Sequence, residues 1–190
     1  MGDWKRVSCL AFVAATVVVP IGRAAEGEHA YVGSKKCKVC HLKEFNSWAE
    51  TKMAKAFELL KAGVAAEAKK AAKLDPSKDY TTDAKCVRCH VTGQGKRGGF
   101  VNFATTPDLA GVGCEVCHGP GGTYTKKEYM SLQNKAYKKA DLVAVGMVGQ
   151  TTKEQCTDCH NEKSPFFKSF DFEARKKDGT HLNVPLKYPH

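Results

Sequence analysis

The stretch Gly111-Val-Gly-Cys-Glu-Val-Cys-His-Gly-Pro-Gly121 holds at its centre Cys114-Glu-Val-Cys-His118, a Cys-x-x-Cys-His unit. The unit recurs as Cys37-Lys-Val-Cys-His41, Cys86-Val-Arg-Cys-His90 and Cys156-Thr-Asp-Cys-His160. Two thiols three residues apart share one side of a helical turn, so each can form a thioether to a haem vinyl group. The histidine that follows is placed to give a ring nitrogen to the iron. The unit therefore predicts four covalent haem c groups. Cys37, Cys40, Cys86, Cys89, Cys114, Cys117, Cys156 and Cys159 would hold them, and His41, His90, His118 and His160 would be the first axial ligands. Paired cysteines also build zinc sites, disulfides and thioredoxin-like redox centres. Zinc does not require a histidine directly after every second cysteine. A redox dithiol occurs once in a domain, not four times.

The N-terminus reads as a secretory leader, residues 1–24. Lys5 and Arg6 precede an apolar run from Val7 to Ile21, and Gly22-Arg-Ala24 offers small residues for cleavage after Ala24 or one residue later. The alternative is a retained anchor, but the run is shorter than the ~20 residues that span a bilayer and Pro20 interrupts it. Of nine cysteines, Cys9 would leave with the leader, and the rest are all used by the four units. No thiol is left for a structural disulfide. Covalent haem attachment takes place outside the cytoplasmic membrane, so the expected location is the periplasm, or the cell surface beyond it.

Residues 25–190 are expected to form a single tetrahaem domain. So short a chain cannot cover four haems and also bury a large side-chain core, so the haems should be most of the core. The expected fold class is mainly α, with helices and long loops around stacked haems and little or no sheet. The formal charge of the whole chain is +10. Lysines cluster at Lys35–Lys36, Lys69–Lys70, Lys126–Lys127, Lys138–Lys139 and Lys176–Lys177. Such clusters are ordinarily solvated surface and partners for propionates. Read functionally, they form a docking face for an acidic redox partner protein. Nucleic acid is not an expected partner.

Between the units, Glu26 to Ser34 reads as a short mobile leader. Leu42 to Leu60 reads as one helix, because Phe45, Trp48, Ala49, Met53, Ala56 and Leu60 share a side at helical spacing. Val64 to Leu74 is expected as a second helix, Lys126 to Lys139 as a third and Phe166 to Lys177 as a fourth. Phe100 to Phe103 suggests a short strand. The Gly-rich Thr92 to Gly99 suits a tight loop passing close to a haem or to neighbouring backbone. The tail from Asp178 to His190 reads as loop. The units are unevenly spaced, so no repeat solenoid is expected.

The chain resembles the tetrahaem cytochrome c-554 family. The likeness rests on Ser47-Trp48, Lys73-Leu-Asp-Pro-Ser-Lys-Asp-Tyr80, Cys86-Val-Arg-Cys-His-Val91, Gly98-Gly99 and Gly111 through Gly121. It is good from Gly33 to Gly121 and weaker from Thr123 onward. It implies a periplasmic carrier that takes electrons from hydroxylamine oxidoreductase. It also implies a mainly helical fold with haems in stacked pairs. Three irons would have two axial ligands, and the iron of the second motif only one.

Apart from the motif histidines, the sequence holds only His29, His181 and His190. Bis-histidine ligation of all four irons within one chain is therefore impossible. By family position, Met53 would ligate the fourth haem, although methionine more often fills an apolar helix face. Glu128 stands near the position for the first haem, and Met130 beside it is the chemically sensible ligand, with core filler as its alternative. His181 would ligate the third haem, its alternative being an exposed tail histidine. His29 and His190 are spare unless subunits exchange ligands. The expected action is outer-sphere electron transfer through stacked haems. Reduction of a small nitrogen oxide at an open haem is the enzymatic alternative. A subunit of an extracellular cytochrome filament is the structural one.

Overall fold

A Cys-x-x-Cys-His unit fits one helical turn, and all four begin on one. A computed structural model describes residues 29–178 and 180–185. The expected leader and His190 lie outside them. Among the described residues there are eight short α-helices. Helix α1 (Ser34–Lys38) carries the first unit and runs into α2 (Leu42–Ala49). Helix α3 (Ala66–Ala71) precedes α4 (Ala84–Val87), which opens the second unit. Helix α5 (Cys114–His118) is the third unit itself, α6 (Lys139–Ala144) follows, α7 (Lys153–Thr157) opens the fourth and α8 (Phe172–Asp178) closes the chain. The His41 and His160 amides each donate at 2.9 Å to the carbonyl of the first cysteine of their unit, completing the turn. Asp83 caps α4 by accepting from the Lys85 amide at 3.0 Å, a contribution of about 1 kcal/mol.

Among the described residues there is no strand, only an isolated antiparallel bridge between Val91 and Ala110. Phe100 to Phe103 is thus irregular rather than a strand. None of the helices is long and apolar enough to cross a membrane. The apolar core is small: Phe57, Leu60, Tyr80, Val87, Val91, Phe100 and Leu109 pack as one cluster around the second motif. Leu142 and Tyr124 are buried elsewhere.

All four expected helices are cut short or missing. The helix from Leu42 ends at Ala49, and a separate 3₁₀ turn covers Ala56–Leu60. Thr51 causes the break. Its hydroxyl donates to the Trp48 carbonyl at 2.7 Å and accepts from the Ala54 amide at 3.2 Å, which diverts the backbone. Helix α3 stops at Ala71, where Lys73 takes φ 59° and the Leu74 amide donates back to Lys69 at 2.8 Å. That pattern is a Schellman ending, with lysine in the place glycine usually takes. Lys126 to Lys138 is not helical at all. Ser131 and Asn134 bond to nearby backbone: the Ser131 hydroxyl accepts from the Asn134 amide at 3.1 Å, and the Asn134 side chain donates to the Glu128 carbonyl at 2.7 Å. Of Phe166 to Lys177 only the second half is helical.

The expected mobile leader is stitched into the fold from His29 onward. Glu115, only 2% exposed, accepts from the Val32 amide at 2.9 Å, Gly33 at 2.8 Å and Gly121 at 2.6 Å. The Gly-rich loop closes over the same segment as expected. A side chain at Gly98 (φ 69°) would come within 2.7 Å of the Tyr31 carbonyl, so only glycine lets the two backbones pass.

Candidate haem-binding centre

The four units are far apart in sequence, and folding brings their cysteines into a series. Helix α1 packs on α5, and the Cys37 thiol donates to Cys114. That bond, with burial, raises the Cys37 pKa; the same bond lowers that of Cys114 to about 6 against the opposing effect of burial. Cys89 and Cys159 are in the same kind of contact; burial first, then Cys89, pushes Cys159 up to about 12. Cys117 is raised by burial and next by Cys156. The attachment sites therefore neighbour one another in the order first, third, fourth, second. Arg88 and Asp158, the residues just before the second cysteines of their units, form an ion pair between the second and fourth sites. Nothing in the sequence hints at this pair, since both residues stand at positions that the five-residue signature leaves unspecified.

The imidazoles are held with equal care. The His90 Nδ1 donates to the Ala56 carbonyl at 2.6 Å; a carbonyl can only accept, so Nε2 is left for a metal. The His181 Nδ1 likewise faces the Leu182 carbonyl at 2.9 Å. The adjoining Leu182 amide donates to the Ser47 hydroxyl at 2.8 Å, which ties the tail to α2. His118 and His181 then face each other with ring centroids 6.1 Å apart and planes 30° from parallel. A ligating nitrogen sits about 2 Å from its metal, so two imidazoles on one iron have centroids about 6 Å apart. The spacing fits an iron between them. Crowding, then His181, then His41, holds His118 below the ordinary histidine pKa. His160 stacks on Phe170 at 4.5 Å, a partner that sequence reading missed.

Met53 and Met130 are both half-buried, and neither lies on the helix expected for it. Met53 sits in the turn after α2, where its carbonyl accepts from the Val112 amide at 2.9 Å, just ahead of the third unit. The Trp48 indole donates to the Val112 carbonyl at 3.0 Å, so α2 is pinned to that loop twice. Among the lysines, Lys69 is no part of a docking face. It is 4% exposed, and its ammonium donates to the Lys61 carbonyl at 2.6 Å beside the Tyr80 ring. Lys35 is engaged by Asp108 and Lys70 by Glu67, while Lys36 and Lys38 stay exposed.

Comparison with known proteins agrees with this arrangement. The family described as cytochrome c554 and c-prime matches residues 36–119. Cytochrome c-554 of Nitrosomonas europaea is 41% identical over 158 residues, covering 81% of this chain and 67% of that protein. The solved reduced state of cytochrome c554 from the same organism superposes with a TM-score of 0.74 at 37% identity, covering 85% of this chain and 89% of that one.

Proposed function

Because the chain belongs to the cytochrome c-554 family, a family of tetrahaem c-type cytochromes that transfer electrons, we propose that it serves as a periplasmic carrier with its four sites connected in the order first, third, fourth, second. Bound haem supplies an iron that changes by one electron without bond rearrangement. The residues of the chain do the rest. The paired thiols fix where each group sits; Cys37 meets Cys114 and Cys89 meets Cys159, and Cys156 is near enough to Cys117 for its charge to be felt, so successive sites are neighbours. That series is the observation that carries the reading. His118 and His181 would together hold one iron, and Met53 would supply a sulfur at the fourth site. The periplasmic assignment rests on the leader and on where thioether attachment takes place.

The first and second sites stand at the two ends of the series. Lys36 and Lys38 surround the first, and Lys85 and Arg88 the second, all exposed. Partners with acidic surfaces would dock there. Intact mass of the exported chain should show four haems and no free thiol; bound zinc in their place would overturn the reading. Electron exchange with an acidic partner should slow as salt is raised, because exposed charges are screened beyond about 10 Å at 0.1 M. A rate indifferent to salt would remove the lysine docking face.

A further inference from the structure

We infer that His29 is the second axial ligand of the iron held by His41, an inference that rests on the tetrahaem reading above. Among the described residues, His29 and His181 are the histidines outside the four units. His181 faces His118. His29 is bound as the other imidazoles are: its Nδ1 contacts the Thr123 hydroxyl at 2.8 Å, and with that hydroxyl accepting, Nε2 is the nitrogen left for a metal. The ring is also clasped. A Cβ at Gly146 would lie 2.4 Å from His29 Cδ2, so the imidazole occupies space that exists because residue 146 has no side chain. A loosely held surface histidine needs no such space.

The surroundings choose the iron. The Ala30 carbonyl accepts from the Gly122 amide at 2.8 Å, and Glu115 grips Val32 and Gly33. His29 is thus fastened to the segment that follows α5. Tyr124, next to Thr123, feels the charges of Cys37, Glu115 and Cys114. This half of the molecule holds the first and third sites, and the third iron already has both imidazoles. The first remains. Met130, the ligand expected from position, lies in the stretch that Ser131 and Asn134 divert from helix.

The test compares His29→Ala, Met130→Ala and Thr123→Val in the holoprotein. In His29→Ala one low-spin haem should become high-spin in the electron paramagnetic resonance spectrum. The reduced protein should then bind carbon monoxide at one haem more than the parent, and added imidazole should restore the low-spin signal. Met130→Ala should leave the spectrum unchanged. Thr123→Val keeps the imidazole and should shift the midpoint potential of that haem alone. An unaltered spin state in His29→Ala, or loss of the low-spin signal in Met130→Ala instead, would overturn the inference. Intact mass distinguishes these outcomes from failure of the tetrahaem reading, because all variants should still carry four haems.

Discussion

Glu115 is an x residue of the third motif, yet it organises three separate segments. Its carboxylate accepts from the amides of Val32, Gly33 and Gly121. Removing it strands those buried amides. Glu115→Ala should therefore cost about 3 kcal/mol or more, read as a lower denaturation midpoint of the holoprotein. A change under about 0.5 kcal/mol would mean that water takes over the amides without loss. Met53 poses a different residue-scale question. If its sulfur ligates iron, Met53→His should lower one haem potential distinctly, since thioether ligation raises it. Spectra and potentials unchanged in Met53→Ala would assign the side chain to packing. The five-residue signature was readable at this scale because it is local chemistry. Phe170 against His160 and Arg88 against Asp158 were not, because each pair is made only by folding.

At the scale of elements, the tail from Thr180 matters through a single tether. The Leu182 amide reaches Ser47, and the same residue's carbonyl orients His181. Ser47→Ala removes one hydrogen bond worth about 1 kcal/mol, so His181 should leave its iron roughly five times more often. The expected readout is faster carbon monoxide binding at the third haem, with Ser47→Thr restoring the slow rate. Identical rates would show that the tail is held by other contacts. Helix lengths were the least legible part of the sequence. Periodicity in Leu42–Leu60 marks a buried side correctly, but Thr51 bonds backward and ends the helix early. In Lys126–Lys138 the composition favours helix, and two short polar side chains capture the backbone first.

At the scale of the molecule, the lack of sheet among the described residues and the scarcity of side-chain core were both foreseeable from four motifs in a short chain. The adjacency order of the sites was not, since nothing in linear spacing says which turn meets which. The open position at the second site stays a proposal, argued from its setting. His90 is anchored to Ala56, and the Thr92–Gly99 loop that follows holds no His, Met or Cys and is packed against Tyr31. One haem in four should be high-spin, and the reduced protein should bind carbon monoxide or nitric oxide at that haem. Only low-spin signals, with no carbon monoxide shift on reduction, would mean that a ligand from a neighbouring subunit closes the iron.

The order first, third, fourth, second also bears on how the molecule is made. The chain emerges from N- to C-terminus, so the first unit packs on α2 well before the third unit's α5 is there to cover it. The second unit alone arrives with most of its own apolar cluster, from Phe57 to Leu109, close in sequence. Early in synthesis the second unit is therefore a self-supporting island, while the first is an exposed turn accessible to the attachment machinery. The last cysteines to appear, Cys156 and Cys159, join both halves, Cys156 lying within electrostatic reach of Cys117 and Cys159 meeting Cys89. Maturation should thus end with a closure: a chain truncated before the fourth unit would keep the first and third haems adjacent and the second apart, without the bridge that makes them one conductor.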